Sequence, residues 1–480
     1  MNRSIIQYIL GYVLLLEGVL MGIPCITALC YQEKEGFYYL AVGIFCIILG
    51  WIMKRKKPTD NIFYLKEGCL TTALCWIFLS LFGCIPFVLT GEIPFLPDAL
   101  FETISGFTTT GASILNDVEA LSHCSIMWRS FTHWIGGMGV LVFLLAVIPM
   151  SGGSHINLMR AESPGPSVGK LVPKVGQTAR ILYLIYLGMT IVELILLLFG
   201  GMPLFDAINT SVATAGTGGF GIKNDSLTSY NPYIQWVVTI FMILFGVNFN
   251  AYYLILYKQV RKALRMEEVK YYLIIIATST AIIFLNILSS CANAFDALTK
   301  SAFQVSSIIS STGFSTADFD LWPETSRTIL VMLMFIGACA GSTGGGIKVS
   351  RFVIMIKTVL KELRSYIHPK SIQKINMDDK PVPHEVVRSV NVYMVTFIVL
   401  FTSSLLILSL NGKDLITNFT AVATTINNIG PGLNLVGPTQ NFSLFSPLSK
   451  FVLMFDMLAG RLELFPLLIL FHPSVWRDKN

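Results

Sequence analysis

Ser105 to Ser113, SGFTTTGAS, is a short polar stretch with one glycine, set between two apolar blocks that are each long enough to cross a membrane. Three later stretches repeat its form. Aligned on a single glycine, the four read FTTTGA to Ala112, AGTGGF to Phe220, SSTGFS to Ser315 and NNIGPG to Gly432. The anchor glycines are Gly111, Gly219, Gly313 and Gly430. Ten residues before each stand Phe101, Asn209, Phe303 and Thr420, leaving room for about three helical turns. A short helix, then a Ser/Thr/Gly strand, between two spanning helices is the layout of a cation pore loop. Four such loops in one chain predict a closed ring.

Composition sets the medium. Of 480 residues, 54% are hydrophobic and only 13% are charged, and the mean hydropathy is +0.67, outside the soluble globular range. The apolar runs approach or exceed the roughly 20 residues a membrane helix needs, which favours a helical bundle over a β-barrel. The first run, Ile5 to Leu29, exceeds a signal peptide's apolar core of about 7–15 residues and lacks a clear small-residue cleavage site, so it reads as a mature spanning helix. The net charge of +6 is split among connecting loops rather than clustered, which argues against a nucleic-acid partner. Nine cysteines without a CxxC pair and six histidines without ligand spacing indicate neither a zinc site nor a disulfide framework.

The predicted fold is an all-α polytopic membrane protein with about ten transmembrane helices. An N-terminal transmembrane hairpin (1–57) precedes four pore repeats, at 58–170, 171–265, 266–380 and 381–480, arranged with pseudo-fourfold symmetry around a central ion pore. Spans are expected at 5–29, 37–53, 69–90, 128–150, 181–198, 233–257, 271–288, 390–410 and 446–471, with a broken helix over 327–360. The positive-inside rule puts Lys54 to Lys57 in the cytoplasm, together with the loops around Arg160, Lys170 and Lys174, around Lys258 to Lys270, and around Lys361 to Arg388. Both termini are then cytoplasmic. The opposite loops carry Glu92, Asp98, Glu102, Asp117, Glu119, Asp206, Asp296, Asp320 and Asp414 among others, an acidic mouth expected to concentrate cations.

A dehydrating cation needs its water oxygens replaced, and rings of backbone carbonyls do this without holding the ion too tightly. Glycine supplies the backbone angles that such a ring demands. No acidic residue lies in the four segments, so coordination is neutral and favours a weakly hydrated monovalent ion over a divalent one. The candidate ion contacts are Thr109, Thr110 and Gly111; Gly218 and Gly219; Ser311, Thr312 and Gly313; and Asn428, Ile429 and Gly430. Each short helix is expected to turn its partially negative C-terminus towards the ion.

A second feature, GSTGGG over Gly341, Ser342, Thr343, Gly344, Gly345 and Gly346, interrupts the last helix of the third repeat, since each glycine costs about 1 kcal/mol of helix propensity. A polar loop there suits a gate below the filter, with Lys348 and Arg461 as its charged neighbours. A phosphate-binding loop is excluded because Ile347 separates Gly346 from Lys348 and no strand precedes it. Arg461 and Glu463 lie within the last apolar run, and an intramembrane charge faces protein or water. Two readings of Arg461 stand: contact with the gate loop or pore axis, or a structural pair with Glu463 or Asp456.

WRSFTHWIGGMGV (Trp128 to Val140), MRAESPGP (Met159 to Pro166), GACAGSTGGGIKVSR (Gly337 to Arg351) and GRLELFP (Gly460 to Pro466) give the chain a resemblance to the Trk/Ktr/HKT superfamily of potassium transporters. The additional N-terminal helix pair favours the Trk branch. The resemblance implies potassium uptake across the bacterial cytoplasmic (inner) membrane, with K+ as the transported ion and no organic cofactor. It also implies a homodimer with one pore per protomer, and a cytoplasmic TrkA-like ring of nucleotide-binding subunits that controls the gate. Glycine at all four anchors points to potassium rather than sodium, and NNIGPG departs furthest from the Thr-Gly pattern. Sodium- or proton-coupled potassium symport within the superfamily is the alternative. A membrane enzyme is disfavoured because no nucleophile and base share a helical spacing near mid-membrane.

Overall fold

The computed structural model describes residues 3–55, 64–139, 175–369 and 373–476. Over these residues the chain is an all-α polytopic membrane protein, its regular strands reduced to a two-residue hairpin, Asn376–Met377 with Lys380–Pro381. Six helices are long and apolar enough to span a bilayer: Arg3–Tyr31, Gly36–Lys54, Leu65–Thr90, Ala179–Phe199, Glu267–Ser290 and His384–Ser409. They are apolar around much of their circumference and leave large side chains such as Phe37, Leu184, Leu285 and Val395 exposed, as lipid-facing helices do. Gly11 and Gly18 bring the first helix against Gly50 and Gly43 so closely that a Cβ on Gly18 would stand 2.5 Å from the Gly43 carbonyl oxygen. This is the small-residue packing by which membrane helices associate without a hydrophobic driving force.

The order long helix, short helix, extended segment, second helix occurs four times. The short helices are Leu96–Phe107, Leu204–Gly216, Ala294–Ile309 and Leu415–Ile426, and all four are largely buried. Acidic or amide groups start them: Asp414 and Asn293 accept from the amides of Thr417 and Asp296, while Asp98 and Asp206 lie in the first turns of the first two.

The second helices depart from expectation. Where one span was expected over 233–257, Pro232–Phe245 and Phe249–Leu256 meet at 91°. The bend is stabilised from outside: the Phe245 and Gly246 carbonyls accept from Thr343 and Cys339 amides, and the Phe249 amide donates to Gly341 O. The expected span 446–471 is also interrupted. Pro447–Arg461 ends where Glu463 (φ 59°) and Leu464 (φ 67°) turn left-handed, and Phe465–Leu468 resumes beyond. Glu324–Phe335 and Val349–Ile367 flank the glycine loop, as the broken-helix reading expects. His123–Met138 begins earlier than expected, and 140–150, MRAESPGP, and the basic residues Lys56, Lys57, Arg160, Lys170, Lys174 and Lys370 lie outside the described residues.

Candidate functional site

Each short helix ends in the same way. The amides of Thr110, Gly218, Thr312 and Ile429 donate to the carbonyls of Ser105, Ala213, Ser307 and Thr424, at 2.8–3.0 Å. The residues just before them, Thr109, Thr217, Ser311 and Asn428, are left-handed (φ 54–58°), and their amides donate to Gly106, Thr214, Ile308 and Thr425. These paired bonds make a Schellman cap, in which glycine is the usual left-handed residue. Here side-chain-bearing residues hold the position, at roughly 1–2 kcal/mol each. Side-chain bonds accompany three of them: Ser311 Oγ accepts from the Gly345 amide (2.5 Å), Asn428 Nδ2 donates to Thr110 Oγ1 (3.0 Å), and Thr217 Oγ1 donates to Gly216 O (2.6 Å).

The caps turn the amides back onto the helices and bring the next glycines together. Gly111, Gly219, Gly313 and Gly430 all have positive φ (73–101°). A Cβ on Gly111 would stand 2.1 Å from Gly218 O, on Gly219 1.9 Å from Thr312 O, on Gly313 2.1 Å from Ile429 O, and on Gly430 2.9 Å from Thr110 O. The contacts run from the first segment to the second, third, fourth and back to the first, so four pre-glycine carbonyls and four glycines form a closed ring. All eleven candidate ion-contact residues lie in these caps and this ring.

The glycine loop lies against the helix-side face of the ring. Its neck is pinched by the parallel Ile336–Ile347 bridge, with the Gly337 amide donating to Ile347 O (2.8 Å). Glu268 Oε1 accepts from the amides of Ala340 (2.6 Å) and Ser350 (3.1 Å) on either side. At its tip, a Cβ on Gly344 would be 2.7 Å from Ser310 O and one on Gly345 2.6 Å from Asn427 O, so no bulkier residue fits beneath the third and fourth caps. Buried Lys348 donates to Gly344 O and, at 3.3 Å, to Gly345 O. Arg461 donates to Thr343 O (2.9 Å), Gly136 O (2.5 Å) and Gly137 O (2.6 Å). Of the two readings of Arg461, the geometry gives contact with the loop. Glu463 pairs instead with Arg351, and Asp456 accepts from Ser404 Oγ at 2.7 Å.

On the other side of the ring a cavity of about 180 Å³ is walled by the four glycines and by Asn116, Asn224, Gln440, Arg129 and Lys223 among others. Its lining among the described residues holds no carboxylate, and Asp117 and Glu119 stand beside it, accepting from the Nδ2 and the amide of the lining residue Asn224. The acidic residues around it are engaged locally: Asp98 with Lys450, Asp296 with Lys300, Asp320 and Glu324 with Arg327, and Glu92 with the Ser122 amide. Glu102 belongs to the first short helix, as expected of a pore helix over 98–107. It is buried, pairs with buried Arg129 at 2.6 Å, and accepts from Ser113 Oγ and the Ile114 amide. Arg129 also donates to Gly221 O (2.9 Å) and covers the Phe220 ring at 3.6 Å, joining the first two segments. Sequence reasoning missed this pair and the left-handed caps. The i,i+4 placement of Arg129 and His133 on one helix face was the available signal.

A helical membrane bundle in which four short helices deliver four peptide carbonyls to one ring is a pore-loop transport protein. Residues 36–479 match the family model TrkH, described as cation transport protein, and the chain belongs to that family. It is 34% identical to the Trk system potassium uptake protein TrkH of Salmonella typhimurium and to that of Escherichia coli K12, over 495 and 492 residues and the full length of each pair. The crystal structure of the potassium transporter TrkH from Vibrio parahaemolyticus superposes with a TM-score of 0.89 at 30% identity, covering 99% of this chain and 100% of that one.

Proposed function

We propose that the chain takes up potassium across the bacterial inner membrane through a gated, channel-like pore. The observation that carries this reading is the cyclic contact of the four glycines with the preceding carbonyls of the next segment. Thr110, Gly218, Thr312 and Ile429 carbonyls stand in for the ion's hydration shell, with Thr109, Ser311 and Asn428 shaping the caps behind them. The four helix C-termini add a partially negative field without a fixed carboxylate, which suits a monovalent ion. Selectivity thus comes from neutral oxygens, and the neutral and basic lining of the cavity fits that division of labour.

The loop from Gly341 to Gly346 is the gate, fastened under the third and fourth walls by Lys348 and Arg461. The repeats divide at 58–170, 171–265, 266–380 and 381–480 behind the hairpin at 1–57, with both termini cytoplasmic. A homodimer and a TrkA-like nucleotide-binding ring complete the assembly, the ring acting on the gate from the cytoplasm. Transport rather than catalysis accounts for the site's chemistry, since neutral oxygens surround the ring.

The test is flux in liposomes holding the purified chain, with and without the nucleotide-binding subunit. Potassium should pass in preference to sodium, and shortening Gly341 to Gly346 should raise flux and weaken control by the partner. A folded protein that passes neither ion in either form overturns the reading.

A further inference from the structure

The second wall of the ring lacks the side chains that the others have. Position by position, the residue before the anchor glycine is Thr110, Gly218, Thr312 or Ile429. Thr110 and Thr312 brace their segments through hydroxyl contacts with Thr108 (2.8 Å) and Ser310 (2.7 Å). Gly218 has nothing to brace with. Its φ is not in the left-handed region, so backbone geometry does not demand glycine there. What demands it is His133: a Cβ on Gly218 would stand 2.1 Å from the imidazole Cγ and 2.2 Å from Nδ1.

His133 is wholly buried and satisfied at both ring nitrogens. Nδ1 lies 2.7 Å from the Gly106 carbonyl, which only accepts, so Nδ1 carries the proton. Nε2 is then free to accept from the Phe220 amide at 3.3 Å. The ring also packs on Phe220, with centroids 4.2 Å apart. One imidazole therefore joins the end of the first short helix to the amide that follows Gly219, through the volume a side chain at 218 would fill.

We propose that His133 is the positioning residue of the second wall, supplied from the first repeat in place of the missing side chain at 218, and that it fixes where the Gly218 and Gly219 carbonyls stand. The inference rests on the carbonyl-ring reading of the pore. It makes His133 and Gly218 a matched pair: bulk belongs at one of them, never at both or neither.

The experiment is a double-mutant cycle on the full chain in liposomes, reading potassium and sodium flux together with thermal unfolding. His133→Ala should lower the potassium-to-sodium ratio by about tenfold, the consequence of one lost positioning hydrogen bond, chiefly by raising sodium flux. Gly218→Thr alone should abolish flux by displacing the imidazole. The double variant should recover most of the ratio, because threonine is what the first and third walls carry. Should His133→Ala fail to fold, His133→Ser, which leaves the volume beside Gly218 open, takes its place with Gly218→Thr again as partner, and the same recovery is expected. A ratio unmoved by the His133 change, or a double variant no better than the sum of its parts, overturns the inference. Gly219→Ser separates the two levels: if it shifts the ratio while the His133 variants do not, the ring reading stands and the His133 role falls. If it leaves the ratio unmoved as well, the ring reading itself falls.

Discussion

Arg461 Nη1 donates to the carbonyl of Thr343 at 2.9 Å, tying the end of the last long helix to the middle of the glycine loop. The same guanidinium reaches Gly136 and Gly137 on the helix that follows the first segment. Two residues later Glu463 pairs with Arg351 at the loop's exit, an arrangement an unbroken helix does not allow because residues two apart face different sides. The left-handed turn at Glu463 and Leu464 lets both charges work on one loop.

Arg461→Ala should therefore release the loop. Charge-assisted bonds contribute about 1.5–3 kcal/mol each, so losing the one to Thr343 raises the open population by roughly tenfold or more. Rubidium uptake into vesicles without the partner subunit should rise accordingly. A folded variant with unchanged or lower uptake contradicts a fastening role for Arg461.

The glycine contacts predict a graded series. Serine at Gly219 meets Thr312 O at 1.9 Å, at Gly111 meets Gly218 O at 2.1 Å, and at Gly430 meets Thr110 O at 2.9 Å. All three also strain a positive φ, at roughly 1–2 kcal/mol. Loss of potassium over sodium selectivity in bi-ionic flux should be large for Gly219→Ser and Gly111→Ser and smaller for Gly430→Ser. The reverse order counts against a ring closed by these contacts.

Much of this was legible beforehand. Hydropathy gave six unbroken spans of the ten expected, among the described residues, because a membrane helix needs an unbroken apolar run, and the recurrence of one glycine between such runs gave the four segments. The breaks were harder. Within Tyr233 to Tyr257 only Gly246 and the N-cap Asn248 mark a break, and they do not give its 91° angle, because the partners that satisfy Phe245, Gly246 and Phe249 are backbone groups of the distant glycine loop. The left-handed caps escaped notice because Thr109, Thr217 and Ser311 are poor left-handed residues, and only Asn428 has a local preference for it. The pairing of Glu102 with Arg129 was not legible because burial of a paired carboxylate leaves no mark in a single sequence.

That buried pair gives a stability prediction. Glu102→Gln leaves the Arg129 guanidinium, 3% exposed, without its counter-charge. Removing one partner of a buried pair costs about 3–5 kcal/mol. The variant should unfold at markedly lower temperature in detergent, and Glu102→Gln with Arg129→Met should recover part of the loss. A Tm within a degree of the parent for the single variant rules out the pair as a brace between the first two segments.

Acid sensitivity is expected at the start of the fourth short helix. Asp414 lies in the loop between two membrane segments, where slight burial works to raise its pKa, but bonds from Thr417 Oγ1 (2.5 Å), the Thr417 amide (3.0 Å) and Asn434 Nδ2 (2.9 Å) outweigh it and hold the carboxyl below the usual range. In the unfolded chain the same group titrates near the ordinary value of about 3.9. The unfolded state thus takes up the proton first, so the stabilising contribution is complete above that value and is lost as the pH falls through the lower folded one. Asp414→Ala removes the cap and should cost roughly 1 kcal/mol at neutral pH. The gap in Tm between parent and variant should stay constant from pH 7 to 5 and narrow towards pH 3. A gap that widens on acidification means that the carboxyl is not held in its charged form by these bonds.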